Sequence, residues 1–213
     1  MRTLLLCLLL LLSRAGWAEL PAARVNGVEI GVMRLERYLT EYLEAQGRAL
    51  SSIRNPGLYK RLREQALDAL IDKELLWQEA QRRGIGISDE QLSARLGEIE
   101  AAFGSAVVFD RHLADAGFDR AGYAHYLRHD LAAQQVYAEL TSVDPPSAAQ
   151  VEAFYQANRH TLQGTQNQSD NPSVIPEQGL ALARAALIGQ LQAQARQSVR
   201  QRLRQSATVE FAD

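Results

Sequence analysis

The stretch from Leu58 to Arg83 constrains this fold more than any other. Leu62, Ala66, Ala69, Leu70, Lys73, Leu76 and Ala80 fall along one side of a helix, and Gly84 is placed as its C-terminal stop. Leu67, Ile71, Leu75 and Trp77 then widen the apolar stripe beyond a single seam. A helix apolar over so much of its circumference cannot lie on a surface with one face to water, so other helices must surround it. The expectation is a mainly α protein built around this segment.

The remaining chain supplies those helices. Leu35, Tyr38, Leu39, Tyr42 and Leu43 give helical spacing from Met33 to Gln46, ended by Gly47 and by Ser51-Ser52 to Asn55-Pro56-Gly57. Ser88 and Gln91 form a capping box that opens a helix to about Ala102. After the break at Phe103-Gly104-Ser105, a shorter helix runs to Ala116 with Gly117 as its stop, and Asp119 is the N-cap of a helix from Arg120 to Leu140. Asp144-Pro145-Pro146 ends that helix, and Ser147 to Gln150 is a second capping box, opening Val151 to Asn158. The polar, helix-poor passage His160 to Gly179 interrupts the pattern; past Pro176, Leu180, Leu187, Leu191, Ala195, Val199 and Leu203 carry a last helix to about Gln205.

Two short β-prone pieces lie at the ends. Asn26-Gly27 suits a type I′ turn in a hairpin spanning Ala23 to Ile30, and Ala207 to Phe211 alternates as a strand does. A lone strand cannot satisfy its backbone, so the C-terminal strand is expected to pair with the N-terminal hairpin, burying Val209 and Phe211.

Arg2, the apolar run Leu4 to Leu12 and the small residues Gly16 and Ala18 read as a secretory signal peptide over residues 1–18, cut before Glu19. The run is too short to span a bilayer, so no stable membrane insertion is expected. Cys7 lacks the small preceding residue that lipid attachment wants. The expectation is one exported domain over 19–213, without disulfides and with a small acidic excess. That charge balance argues against a nucleic-acid partner.

No catalytic constellation stands out. His125 and His129 lie four apart on one helix face, but two imidazoles make no structural zinc site, and they are read as surface residues with no metal or other cofactor expected. The serines sit at caps and loops, away from any G-x-S-x-G elbow, and no phosphate-binding glycine loop is present. Among the aromatic residues, Tyr38, Tyr42, Phe103 and Phe109 stand on short or interrupted helices beside the long one. They are the candidates for lining an exposed apolar groove.

Val25-Asn26-Gly27, the run QALDALIDKELLWQEAQRRGIGIS from Gln65 to Ser88, Phe103-Gly104-Ser105, Gly117-Phe118, Tyr123, Leu127-Arg128 and the Val151–Asn158 helix, taken in this order, resemble the SurA-type periplasmic chaperones and more distantly the PpiD and PrsA foldases. In that family the last of these helices leads into parvulin-type prolyl isomerase domains, and the chain returns to the chaperone core by a helix and a strand. Here the return follows a polar loop at 160–176 of about 15 residues, far below the roughly 50 a small domain needs. The resemblance therefore implies a periplasmic, non-enzymatic holdase for unfolded or nascent exported polypeptides. The alternative is an assembly subunit dedicated to one envelope or secretion-system partner. Self-association as a homodimer through the apolar groove is compatible with either.

Overall fold

The computed structural model describes residues 21–162 and 177–212. The expected signal peptide and most of the polar loop lie outside the described residues. The chain begins with strands β1 (Pro21–Val25) and β2 (Val28–Gly31), joined by Asn26 and Gly27 at φ 50° and 83°. Both residues occupy the left-handed region that the Asn-Gly pair predicts. Helix α1 (Val32–Glu44) and a short 3-10 turn at Leu50–Ser52 lead to α2 (Pro56–Arg83). This long helix starts two residues earlier than its apolar spacing predicts. Asn55 caps it through its side chain and Pro56 opens the first turn, so the Asn-Pro-Gly passage is a helix start and not only a break.

Next come α3 (Asp89–Ala102), α4 (Ala106–Asp115) and α5 (Arg120–Leu140). Ser88 and Gln91 make both bonds of the capping box, and Asp119 accepts from the Gly122 amide. Helix α6 (Ala148–Leu162) runs four residues past its predicted end, taking in His160. Helix α7 (Glu177–Gln205) returns, and β3 (Val209–Phe211) closes the described chain.

Helix α2 is the axis. It packs against α5, α1, α7 and β1. Leu62, Leu70, Ile71 and Leu75 of α2 meet Leu35, Leu39 and Leu43 of α1, Val25 and Ile30 of the hairpin, and Val199 and Leu203 near the end of α7. The wide apolar stripe is thus covered from several sides, as its circumference requires. A smaller group joins Ala80 to Ala132 and Val136 of α5, with Trp77, Ile85 and Ile87 against it. A third core stands apart: Val151 and Tyr155 of α6 meet Ala183 of α7, flanked by Phe154, Leu180 and Leu187. Helix α7 therefore belongs to two packing units, with α6 at its start and α2 at its end.

The sheet has order β2-β1-β3, both pairs antiparallel. Val25 stands opposite Val209 and Ala23 opposite Phe211, so the two ends of the described chain join as expected. The burial differs from expectation. Phe211 is 62% exposed and Val209 only half-buried: both share a face with Ala23 and Val25, but β3 is the edge strand, and of the two only Val209 packs against the main core.

Charges fasten the helices. Arg204 of α7 donates to Asp72 at 2.6 Å and to the Asp68 carboxylate at 3.1 Å, while Arg200 lies 3.1 Å from Asp72. Glu79 of α2 is buried, and Arg83 reaches both it and Glu139 of α5 at 2.7 Å. The hydrogen bond from Arg82, reinforced by Arg83 against the opposing effect of burial, pulls the Glu79 carboxyl down to about 2.

Candidate functional site

Helices α5 and α7 both lean on α2 and leave a groove between them of about 260 Å³. Leu75, Leu76, Ala133, Val199 and Leu203 make its apolar floor, and Tyr38, Tyr137, Gln134, Arg200 and Asp72 stand around it. The floor follows from the sequence: Leu75 and Leu76 both belong to the wide α2 stripe, and Leu76, unlike the buried Leu75, is only half-covered by the neighbouring helices. Such a space takes a large apolar side chain and shields it from water, at roughly 1.5–3 kcal/mol for full burial.

At one end stands the ion pair of Lys73 and Asp130, at 2.6 Å. Burial acts to lower the Lys73 ammonium, but the hydrogen bond and charge of Asp130 outweigh it and hold the group above its ordinary range. The ammonium also lies 5.5 Å from the centre of the Tyr38 ring. This pair is shared with a second cavity of about 300 Å³ on the other side, between α1, α2 and α5, lined by Trp77, Phe118, Tyr126, Arg34 and Arg37 among others. Arg34 and Arg37 in turn border a wider cleft of about 780 Å³ between α1 and α4.

The four aromatic candidates separate in space. Tyr38 is half-buried at the α2–α5–α7 groove. Tyr42 is 44% exposed and lines none of these spaces. Phe103 and Phe109 come together, ring centres 5.5 Å apart, in a cluster that ties α3, α4 and α5. Phe109 is only 2% exposed and meets Tyr123 edge-on at 5.8 Å, so in this conformation it serves that cluster and offers no surface to a peptide; Phe103 is half-buried, against His112 at 4.7 Å.

His129 differs from the expected surface histidine. It is half-buried and stacked on Trp77, ring centres 3.8 Å apart and 15° from parallel, whereas His125 is exposed. Burial, then the charges of His125 and Arg34, push the His129 imidazole down to about 4. Among the described residues no group of three or more His, Cys, Asp or Glu is placed to hold a metal ion, and no helix is long and apolar enough to cross a membrane.

Lys73, Asp130, Arg34, Arg37 and Tyr137 were not among the candidates that the sequence offers. Lys73 carried a signal: it is a charge inside the apolar stripe of α2, where only a partner such as Asp130 makes burial tolerable.

The family model of the SurA-like N-terminal domain matches residues 11–137, which spans β1 to α5 and hence α2 and most of what packs on it. The chain belongs to this SurA-like family. A solved structure from work on the virulence factor PEB4 and the periplasmic protein Cj1289, described as two structurally related SurA-like chaperones of the human pathogen Campylobacter jejuni, matches with a TM-score of 0.52. The match covers 90% of this chain and 98% of that one at 12% identity, a likeness of fold. No curated protein matches the sequence. Membership of the SurA-like family supports a general chaperone role, and among the described residues no parvulin domain is evident.

Proposed function

We propose that this SurA-like protein is a holdase-type chaperone of the periplasm, holding unfolded or partly folded exported polypeptides without prolyl isomerase activity. The observation that supports it best is the groove between α2, α5 and α7. Its floor is leucine, valine and alanine, and tyrosines and long polar side chains surround it. Apolar contact without shape-specific hydrogen bonds tolerates many sequences, and such promiscuity limits affinity to about the micromolar range. Tyr38 is the sequence candidate best placed to touch a client there. Fourteen residues separate α6 from α7, too few for the roughly 50 that an inserted isomerase domain would need.

The test is suppression of aggregation of a denatured exported protein, by the wild type and by Gln134→Trp. Gln134 is exposed beside the groove, so an indole there obstructs it without disturbing the buried core. The wild type should delay aggregation and bind peptides from an unrelated library, and Gln134→Trp should lose most of both. Recovery of one stoichiometric partner, with no binding to the library, would support the dedicated assembly subunit instead. Acceleration of prolyl isomerisation in a test peptide would sink the non-enzymatic reading.

A further inference from the structure

The second cavity, on the far side of the Lys73–Asp130 pair, has a different character. Trp77, Phe118 and Tyr126 give it aromatic walls, and Arg34, Arg37 and Lys73 bring three cations to it. Its two carboxylates already have partners: Asp130 accepts from Lys73 and from Gln134, both at 2.6 Å, and Glu74 accepts from Gln78 at 2.9 Å. Arg34 reaches Glu74 only at 3.8 Å, so its guanidinium retains donors for an incoming anion. Arg37 donates to the Ala116 carbonyl at 3.1 Å and lies 4.1 Å over the Phe118 ring, which fixes it between α1 and the α4–α5 corner.

The two arginines border both this cavity and the wide α1–α4 cleft. The cleft has the opposite charge bias. Glu41, Glu44 and Asp115 line it, and Glu36, also there, is engaged by Arg63 at 2.7 Å. An acidic stretch of chain lying in this cleft would be repelled along its length. A chain whose only negative charge is at its end would not. The Lys73–Asp130 pair lines the cavity as well, from α2 and α5.

We propose that this cavity binds the C-terminal carboxylate of an unfolded polypeptide whose last residue is aromatic or large and apolar, with Arg34 holding the carboxylate and Trp77, Phe118 and Tyr126 receiving the side chain. Arginine offers planar paired donors that match a carboxylate, and aromatic faces suit the neighbouring ring. Burial first, and then the charges of His125 and Arg34, lower the His129 imidazole that shares this cavity, so its titration reports on what binds beside Arg34. The inference rests on the chaperone reading but concerns a different surface from the α2–α5–α7 groove.

The experiment compares synthetic peptides of one sequence ending in phenylalanine, as the free acid and as the amide, by fluorescence anisotropy. The free acid should bind about tenfold more tightly, the size of one hydrogen bond to a charged group. Arg34→Gln should erase that difference, and Arg34→Lys should restore part of it. The His129 imidazole, followed by NMR, should titrate higher with the acid bound than with the amide bound. Equal binding of acid and amide by the wild type would overturn this assignment and leave the chaperone reading standing. So would an amidated peptide with an internal glutamate binding as well as the free acid, or a preference that survives Arg34→Gln. Failure to bind any peptide would overturn both.

Discussion

His129 lies flat on Trp77, ring centres 3.8 Å apart, joining α5 to α2 through a stack that places the imidazole beside Arg34 and His125. Burial and these two neighbours hold it down to about 4, below the roughly 6.5 of a free histidine. Lys73, Glu74, Arg37 and Asp130 face the same cavity, the two acids already partnered within it. The folded state therefore keeps His129 neutral where the unfolded chain would protonate it. Its contribution is fully present above pH 6.5 and is lost as the pH falls from there toward 4. Because the ring is partly open to solvent, about 1 kcal/mol of this should be measurable. Urea unfolding at pH 7.5 and pH 4.5 should show the wild type losing about that much more than His129→Phe, which keeps a stacking ring without the titration. Identical losses would show that His129 does not carry the effect.

Gly179 and Tyr155 are in close contact across α6 and α7. A β-carbon at 179 would stand 2.6 Å from the tyrosine Cε2, in a ring that is itself only 2% exposed. A rigid buried ring cannot swing aside as the tip of a flexible side chain would. Gly179→Ala should therefore cost about 1–3 kcal/mol despite the better helix propensity of alanine. The cost should appear as faster amide exchange in α6 and the first turns of α7, with α2 unaffected, because this small core stands apart from the main one.

Local signals explain how much could be read from sequence. The caps at Ser88, Asp119 and Ser147, the stop at Gly84 and the turn at Asn26-Gly27 each depend on residues within a few positions of one another, and each is found in place. Pairing of β3 with β1 was also legible, since a strand without local partners must find a distant one. The sites were less legible, because they depend on which helix faces meet. Phe103 and Phe109 look alike to periodicity, yet one is half-buried and the other enclosed by Tyr123. Nothing in the spacing of Arg34 and Arg37 marks them out; only the packing of α1, α2 and α5 sets Trp77 of α2, Phe118 just before α5 and Tyr126 of α5 around one cavity with them. The end of α6 moved because His160 to Leu162, though polar in part, continue a helix already running.

Arg204 ties the last turn of α7 to α2 through both Asp72 and Asp68, with a further bond from Nη2 to the Asp68 carbonyl at 3.0 Å. The three bonds fix one guanidinium from two helical turns of α2, geometry that an exposed single pair lacks. Arg204→Met, which keeps most of the apolar stem, should cost about 1–2 kcal/mol, and Arg204→Lys should recover less than half. A double-mutant cycle with Asp72→Asn should give a coupling of at least about 0.5 kcal/mol. Additive effects would mean the contact is only a solvated surface pair.

The C-terminal strand allows the sharpest comparison, because the two side chains expected to anchor it lie in different environments. Val209, half-buried opposite Val25, packs against the main core. Phe211 stands opposite Ala23 but is 62% exposed. The strand is also held by its backbone: Asn26 donates to the Thr208 carbonyl at 2.8 Å, its side-chain oxygen accepts from the Thr208 amide at 2.8 Å, and the Ala212 amide donates to the Ala22 carbonyl at 3.2 Å. Deleting Ala207 to Asp213 should cost about 2–3 kcal/mol, mostly from these bonds and from opening β1 as a bare edge. Val209→Ala should cost about 1 kcal/mol, whereas Phe211→Ala should fall within about 0.5 kcal/mol of the wild type, as exposed substitutions do. Thermal and urea unfolding of the three variants would check this order. If Phe211→Ala proved as harmful as the whole deletion, the ring would have to be covered by something in solution, and a second copy of the chain would then be the surface to look for.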